Sequence, residues 1–317
     1  VKSSIVWITG ARGFIGQHLV RELSSQGCIV AGIGHGNWSD KDAAQWGLQY
    51  WCDGEVSLNN CARINAELGA PDVIYHLAGG ASVGAAIERP YEDFNRTVSS
   101  TAQLLEWVRQ FSPMTRIVSV SSAAVYGAAY SEPILENVRL SPFSPYGAHK
   151  LMMEDLCRSY ACNFGLRVVL PRLFSVYGAG LKKQLLWDLC CKLSISKSVE
   201  LGGNGDELRD WIDVSDVVIA LTRLKKLATE DAPAINIASG NAVSVKEIAG
   251  TVADCWHELP EAIPRVVFNG VSRPGDPFSL VADVSLMRMR GIEINVPLVR
   301  GIKKYVEWFK DYKQGIA

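Results

Sequence analysis

The sequence predicts an α/β fold: a doubly wound parallel sheet, with a smaller mixed α/β region towards the C-terminal end. Three observations carry that expectation. Short β-branched runs are apolar throughout rather than alternating, helical stripes recur between them, and a glycine-rich turn joins the first run to the first stripe. Strands apolar on both faces need cover on both faces, and strands separated by helices imply right-handed crossovers and parallel pairing.

Ser4-Ile5-Val6-Trp7-Ile8 reads as the first buried strand. Ile15, Leu19 and Leu23 then recur at four-residue spacing, with Val20 beside them, which is one apolar stripe of a helix. The run 28–33, Val73-Ile74-Tyr75-His76-Leu77, Ile117-Val118-Ser119-Val120 and Val168-Val169-Leu170 supply further strands, with helical stretches around 98–111 and 150–164. After about Tyr177 glycine, proline and charge become denser, as in Gly202-Gly203-Asn204-Gly205-Asp206, and the alternation loses its regularity. The expected division is 1–177 for the sheet domain and 178–317 for the smaller region, with some chain crossing back.

The 317 residues are 48% hydrophobic, enough for a large core, and 32 basic against 33 acidic side chains leave a net charge of -1. No basic stripe or block is present, which disfavours a nucleic-acid surface. The opening apolar run is too short for a membrane span and lacks a secretory signal's basic start and cleavage site. Eight cysteines are scattered without a CxxC pair or a histidine at metal spacing, so they read as reduced, buried thiols with no metal site. A cytoplasmic protein without nucleic-acid or membrane partners is the expectation.

Gly10-Ala11-Arg12-Gly13-Phe14-Ile15-Gly16 follows the first strand and opens the first helix. Gly10 allows the tight turn, Gly13 lets the backbone approach a pyrophosphate, and Gly16 allows close packing of helix on sheet. The helix start at Phe14 and Ile15 turns unpaired N–H groups and a positive dipole end towards phosphates. The strand before and the helix after turn a bare glycine pattern into a dinucleotide site.

In such a site the end of the second strand carries an acid that bonds the adenosine ribose of NAD. Gly34, His35 and Gly36 stand there instead, and no Asp or Glu follows until Asp40. Without a carboxylate to repel it a 2′-phosphate is admissible, and Arg12 and His35 offer donors for it. This favours NADP, with NAD as the alternative.

Tyr146 and Lys150, four residues apart, lie on one helix face, with Pro145 suited to the first turn. A free phenol titrates near about 10, and a nearby ammonium favours its ionised form, so the pair suits proton transfer. A Tyr-Lys pair at this spacing also arises by chance; its weight comes from Ser121-Ser122-Ala123-Ala124-Val125-Tyr126-Gly127 at the carboxyl end of another core strand. Ligands of doubly wound sheets bind at carboxyl strand ends, so Ser122 faces the coenzyme and can hold a substrate oxygen beside Tyr146.

Together with His76-Leu77-Ala78, these motifs resemble the extended short-chain dehydrogenase/reductases, in particular their nucleotide-sugar epimerase/dehydratase/reductase branch. The resemblance covers nearly the whole chain and implies a Rossmann-type coenzyme domain, a nucleotide-sugar substrate and a homodimer built through helices near 95–111 and 149–164. It implies coenzyme contacts at Gly10, Arg12, Gly13, Phe14, Ile15, Gly16, Gly34, His35, Glu55, Val56, Leu77, Ala78, Asn95, Tyr146, Lys150 and Pro171. Catalysis falls to Ser122, Tyr146 and Lys150. Substrate contacts fall to Ser122, Ala123, Ser175, Arg209 and Arg273, the two arginines holding the diphosphate. Ser175 departs from the family's usual Asn.

Within that branch, 4,6-dehydratases place acidic residues directly after the catalytic hydroxyl. Ala123 and Ala124 stand there and transfer no protons, so dehydration is disfavoured. Reduction of a 4-keto sugar by NADPH, for cell-surface polysaccharide precursors, is the expected activity. The alternatives are a 4-epimerase that retains NAD and a catalytically inactive coenzyme-binding module.

Overall fold

The apolar runs of the first half pair side by side. A computed structural model, which describes residues 3–256, 264–271 and 278–315, contains β1 (Ile5–Thr9), β2 (Ile29–Gly34), β3 (Tyr50–Asp53), β4 (Val73–His76), β5 (Arg116–Ser119), β6 (Ser121–Ser122) and β7 (Arg167–Leu173). A late strand, Ala234–Ile237, joins the same sheet beyond β7. The order is Ala234–Ile237, β7, β5, β4, β1, β2, β3, with β6 also paired to β7. Every one of these pairings is parallel. The order turns outward on either side of β1 and β4, which creates a crevice at their carboxyl ends.

The helix Phe14–Ser25 buries Gly16, Leu19, Val20 and Leu23, the stripe read from the sequence. Trp7 of β1 packs on Trp107 with ring centroids 4.7 Å apart, in a core that also holds Ile33, Ile74, Leu104, Ile117, Val168 and Leu170. Cys52, Cys61 and Cys157 are buried in the same core as reduced thiols. The helical stretch over 90–111 contains one wide π-type turn, Asn95–Ser99, before continuing as Ser100–Phe111. Such a turn inserts a residue and re-aims the side chains around it.

The chain divides into two units. The first comprises Val1–Gly127, Glu136–Leu173 and Val218–Ile237, and the second Ala128–Leu135, Phe174–Val217 and Ala238–Ala317. In the second, the strand Leu208–Asp213 pairs parallel with Ser175–Tyr177 and Ser279–Leu280 and antiparallel with Ala242–Ser244. Asp210, wholly buried, fastens it by accepting from Ser239 N and Oγ, Gly240 N and Ala282 N. Among the described residues no helix is long and apolar enough to cross a membrane, and no cluster of metal-ligating side chains occurs.

Candidate active site

The glycine turn has the shape its sequence requires. Gly10 adopts φ +70°, and a Cβ there would lie 3.0 Å from Ala78 N and 3.1 Å from the Leu77 carbonyl carbon. Gly10 N donates to Ile33 O at 2.7 Å, and Ala78 N to Thr9 Oγ1 at 3.0 Å, so the ends of β1, β2 and β4 meet at this turn. A Cβ on Gly16 would collide with the Gly10 and Ala11 carbonyl oxygens. No side chain caps the helix at Gly13, which leaves its first N–H groups for a ligand. A cavity of about 360 Å³ opens here, lined by Gly10, Arg12, Gly13, Gln17, Gly34 and His35. These residues fit a dinucleotide pyrophosphate: glycine walls, free helix N–H groups and no carboxylate in the lining. Gln17, one turn into the helix, carries no motif signal and emerges only from the fold.

The expectation that no acid stands near the end of β2 needs correction. Gly34 pairs in register with Asp53, and Gly36 N donates to Asp53 Oδ1 at 3.0 Å. The neighbouring strand supplies the carboxylate that β2 lacks. Arg12 reaches the same turn, where its guanidinium fills the space a Gly36 side chain would occupy. Glu55 is exposed, its carbonyl accepting from Asn60 Nδ2, and Val56 is buried in the core.

Across the crevice, Ser144 caps the helix Pro145–Phe164 by accepting from Gly147 N at 3.2 Å. Gly147 matters for position: a Cβ there would lie 2.5 Å from Ala124 O. Its absence lets the helix start press onto the turn that carries Ser122, and Ser122 acts on the Tyr146 phenol from close by. Lys150, 4% exposed, lies one turn on and donates from Nζ to Val120 O at 2.9 Å. Ser122, Tyr146 and Lys150 therefore converge. Ala123, on the Ser122 turn, and Pro171, in β7, are both buried.

Burial pulls the Lys150 ammonium down to about 8, against the opposing charges of Asp93 and Glu154. The Tyr146 phenol behaves otherwise than the sequence suggested. Burial raises it, Ser122 lowers it, Asp93 raises it again, and the net direction is upward. The reason is geometric: the Lys150 ammonium is directed at a main-chain carbonyl, while the phenol's partner is Ser122.

Asn95 is exposed, at the start of the π-type turn, and its Oδ1 accepts from Ser99 Oγ. Two residues on, Thr97 is fully buried, and its Oγ1 accepts from Gly80 N at 2.8 Å. A Cβ on Gly79 would stand 3.3 Å from both Thr97 Oγ1 and Lys150 Nζ. The wide π-type turn re-aims the side chains around it, which a regular helical count misses.

His76, 1% exposed, bonds Thr9 Oγ1 at 2.8 Å and Thr101 Oγ1 at 2.9 Å. Burial, assisted by Lys150, lowers it from 6.5 to about 3. The unfolded chain then binds a proton that the folded chain refuses. Stability is fully present above about pH 6.5 and is lost as pH falls, by about 1.4 kcal/mol per pH unit from this group. Urea midpoints between pH 7 and pH 5 should show that slope in the wild type, and it should flatten in His76→Gln.

In the second unit, Arg209 and Ser175 lie on paired strands, Ser175 in register with Trp211, and Arg209 Nη1 donates to Leu208 O at 2.8 Å. Arg273 lies outside the described residues.

A profile of the NAD dependent epimerase/dehydratase family matches residues 6–238. The chain belongs to this family. It is 28% identical over 305 residues to a UDP-glucose 4-epimerase of Azospirillum brasilense, covering 89% of this chain and 85% of that one. It is 31% identical over 262 residues to an uncharacterized UDP-glucose epimerase, YtcB, of Bacillus subtilis, covering 78% and 81% respectively. Among solved structures, MoeE5 in complex with UDP-glucuronic acid and NAD is 30% identical, with a TM-score of 0.82 over 97% of this chain and 99% of that one. The UDP-glucose 4-epimerase of Thermotoga maritima, 24% identical, has the same fold, with a TM-score of 0.86 over 98% and 99% of the two chains. This epimerase/dehydratase family is NAD-dependent, so NAD moves ahead of NADP and epimerisation ahead of ketone reduction.

Proposed function

We propose that this protein interconverts the C4 epimers of a UDP-linked hexose and retains NAD throughout turnover. The observation that carries the reading is the convergence of Ser122, Tyr146 and Lys150 at the carboxyl ends of the parallel strands, in a chain with relatives named UDP-glucose and UDP-glucuronate 4-epimerase. A bound nicotinamide would supply reversible hydride acceptance at sugar C4. Tyr146 takes the C4 hydroxyl proton and gives it back, Ser122 holds the same oxygen, and Lys150 stabilises the phenolate. Gly10, Gly13 and Gly16 would seat the coenzyme's pyrophosphate, and Arg209 and Arg273 are the proposed holders of the substrate diphosphate. Ala123 and Ala124 offer no acid or base for dehydration. A second copy of the chain is the proposed partner. Phe111, Met152 and Phe164, 61%, 46% and 51% exposed on the helices Ser100–Phe111 and Pro145–Phe164, support that reading.

A second reading, reduction of a 4-keto sugar by NADPH, draws on one observation: Arg12, Gly34 and His35 line one cavity wall without a carboxylate. The coenzyme released on denaturing the purified protein distinguishes the two. The epimerase reading expects NAD, with UDP-hexose converted in the absence of added coenzyme; stoichiometric consumption of NADPH would overturn it. Gly34→Asp should weaken NADP binding at least about tenfold relative to NAD, because a carboxylate then enters the cavity lining where a 2′-phosphate would sit. Equal effects in coenzyme titrations would dismiss a 2′-phosphate pocket here.

A further inference from the structure

His149 and Asp93 form a buried pair to which the catalytic reading gives no task. His149 Nδ1 stands 2.6 Å from Asp93 Oδ2, with the side chains 12% and 6% exposed. A carboxylate oxygen only accepts, so the imidazole donates. The Phe94 ring meets His149 edge-on, centroids 5.6 Å apart.

The position of the pair suggests its work. Gly79 and Gly80 leave the end of β4 between Lys150 and Asp93. A Cβ on Gly79 would stand 3.3 Å from Lys150 Nζ, and one on Gly80 would collide with the Asp93 carboxylate. Ammonium and carboxylate thus adjoin successive glycines. The charged and titratable groups around Lys150 are Asp93, Glu154, Cys157 and His76, and Asp93 also acts on Tyr146. Glu154 is engaged by Arg172 and Arg158, and Glu92, beside Asp93, by Arg89 and Arg96. Of these three carboxylates Asp93 is the one met by an imidazole N–H instead of a guanidinium. A single imidazole N–H fixes one oxygen of the carboxylate, whereas a guanidinium fork can engage both.

We propose that Asp93, oriented by His149, is a positioning residue for Lys150 and Tyr146: its carboxylate, held across Gly79 and Gly80, places a negative charge beside the ammonium and the phenol in an apolar site. This rests on the catalytic reading above, but its test does not depend on turnover.

The measurement is the phenolate absorbance of Tyr146 across pH with NAD added, obtained by subtracting the spectra of Tyr146→Phe. Asp93→Asn removes a negative charge, so the phenol ionises more readily and its titration moves about one pH unit towards acid. His149→Gln keeps a donor for Asp93 and holds the titration within a few tenths of a unit (about 0.3) of wild type. His149→Ala frees the carboxylate and moves it in the direction of Asp93→Asn by a smaller amount. An unmoved titration in Asp93→Asn overturns the proposal. Should that variant fail to fold, superimposable titrations for His149→Ala and His149→Gln overturn it equally. Loss of turnover in Asp93→Asn without a titration shift marks a scaffolding role only. Full turnover in Tyr146→Phe would instead remove the catalytic reading.

Discussion

Tyr146→Phe is expected to lower turnover about 10²–10⁴-fold while NAD remains bound. The phenol is the one group in the trio placed to move a proton: it lies close to Ser122, and Lys150 is held by Val120 O. Phenylalanine keeps the ring and its packing, so the loss falls on the reaction and spares the fold. Coenzyme binding, proposed to rest on the turn at Gly10, Gly13 and Gly16, should change less than about twofold, under about 0.5 kcal/mol. Turnover and coenzyme titration on the same preparation check both halves. Unchanged turnover would exclude Tyr146 as the proton-transfer group. Equal loss of turnover and NAD affinity would make it a coenzyme contact instead.

The second large effect concerns what holds the catalytic helix against the sheet. Glu154, wholly buried, meets Arg172 of β7 through two parallel bonds, Nε to Oε1 at 2.9 Å and Nη2 to Oε2 at 2.7 Å, and Arg158 adds a third at 2.7 Å. Arg172, 2% exposed, also donates to Tyr126 Oη and Glu136 O, and Tyr126 donates to Asn236 Oδ1. One network therefore ties the helix, β7, the Ser122 turn and the late strand Ala234–Ile237. Burial works to raise the Glu154 carboxyl, and the Arg172 bonds with help from Arg158 more than offset it, leaving it below the usual range. Its contribution is present above the unfolded carboxyl's pKa and is lost as pH falls through the lower folded value. Glu154→Gln leaves the Arg172 guanidinium buried without its counter-charge and should cost about 3–5 kcal/mol in urea unfolding at neutral pH. Replacing both partners, as in Glu154→Leu with Arg172→Met, should recover much of that loss. A cost below about 1 kcal/mol for the single variant would mean the helix is held by packing alone.

The motifs legible in the sequence are those whose chemistry is local. Gly10, Gly13 and Gly16 announce a tight turn between strand and helix because each excludes a Cβ that the turn cannot hold. Tyr146 and Lys150 share a helix face by spacing alone, and Gly147 beside them permits the close approach to Ala124. The residues misread or missed depend on pairing between distant segments. Asp53 reaches the end of β2 through strand register, Thr97 meets Gly80 through one irregular turn, and Gln17 lines the cavity only because helix and sheet pack there.

From its residues alone the chain specified a parallel sheet, a glycine turn for a dinucleotide and a phenol–ammonium pair, since periodicity and glycine sterics act over a few residues. Folding decided the rest: which acid stands near β2, where the Lys150 ammonium points, and which carboxylate faces it. Those outcomes depend on burial and on distances between side chains as much as 57 positions apart, as for Asp93 and Lys150, whose mutual charge exists only once Gly79 and Gly80 bring them together.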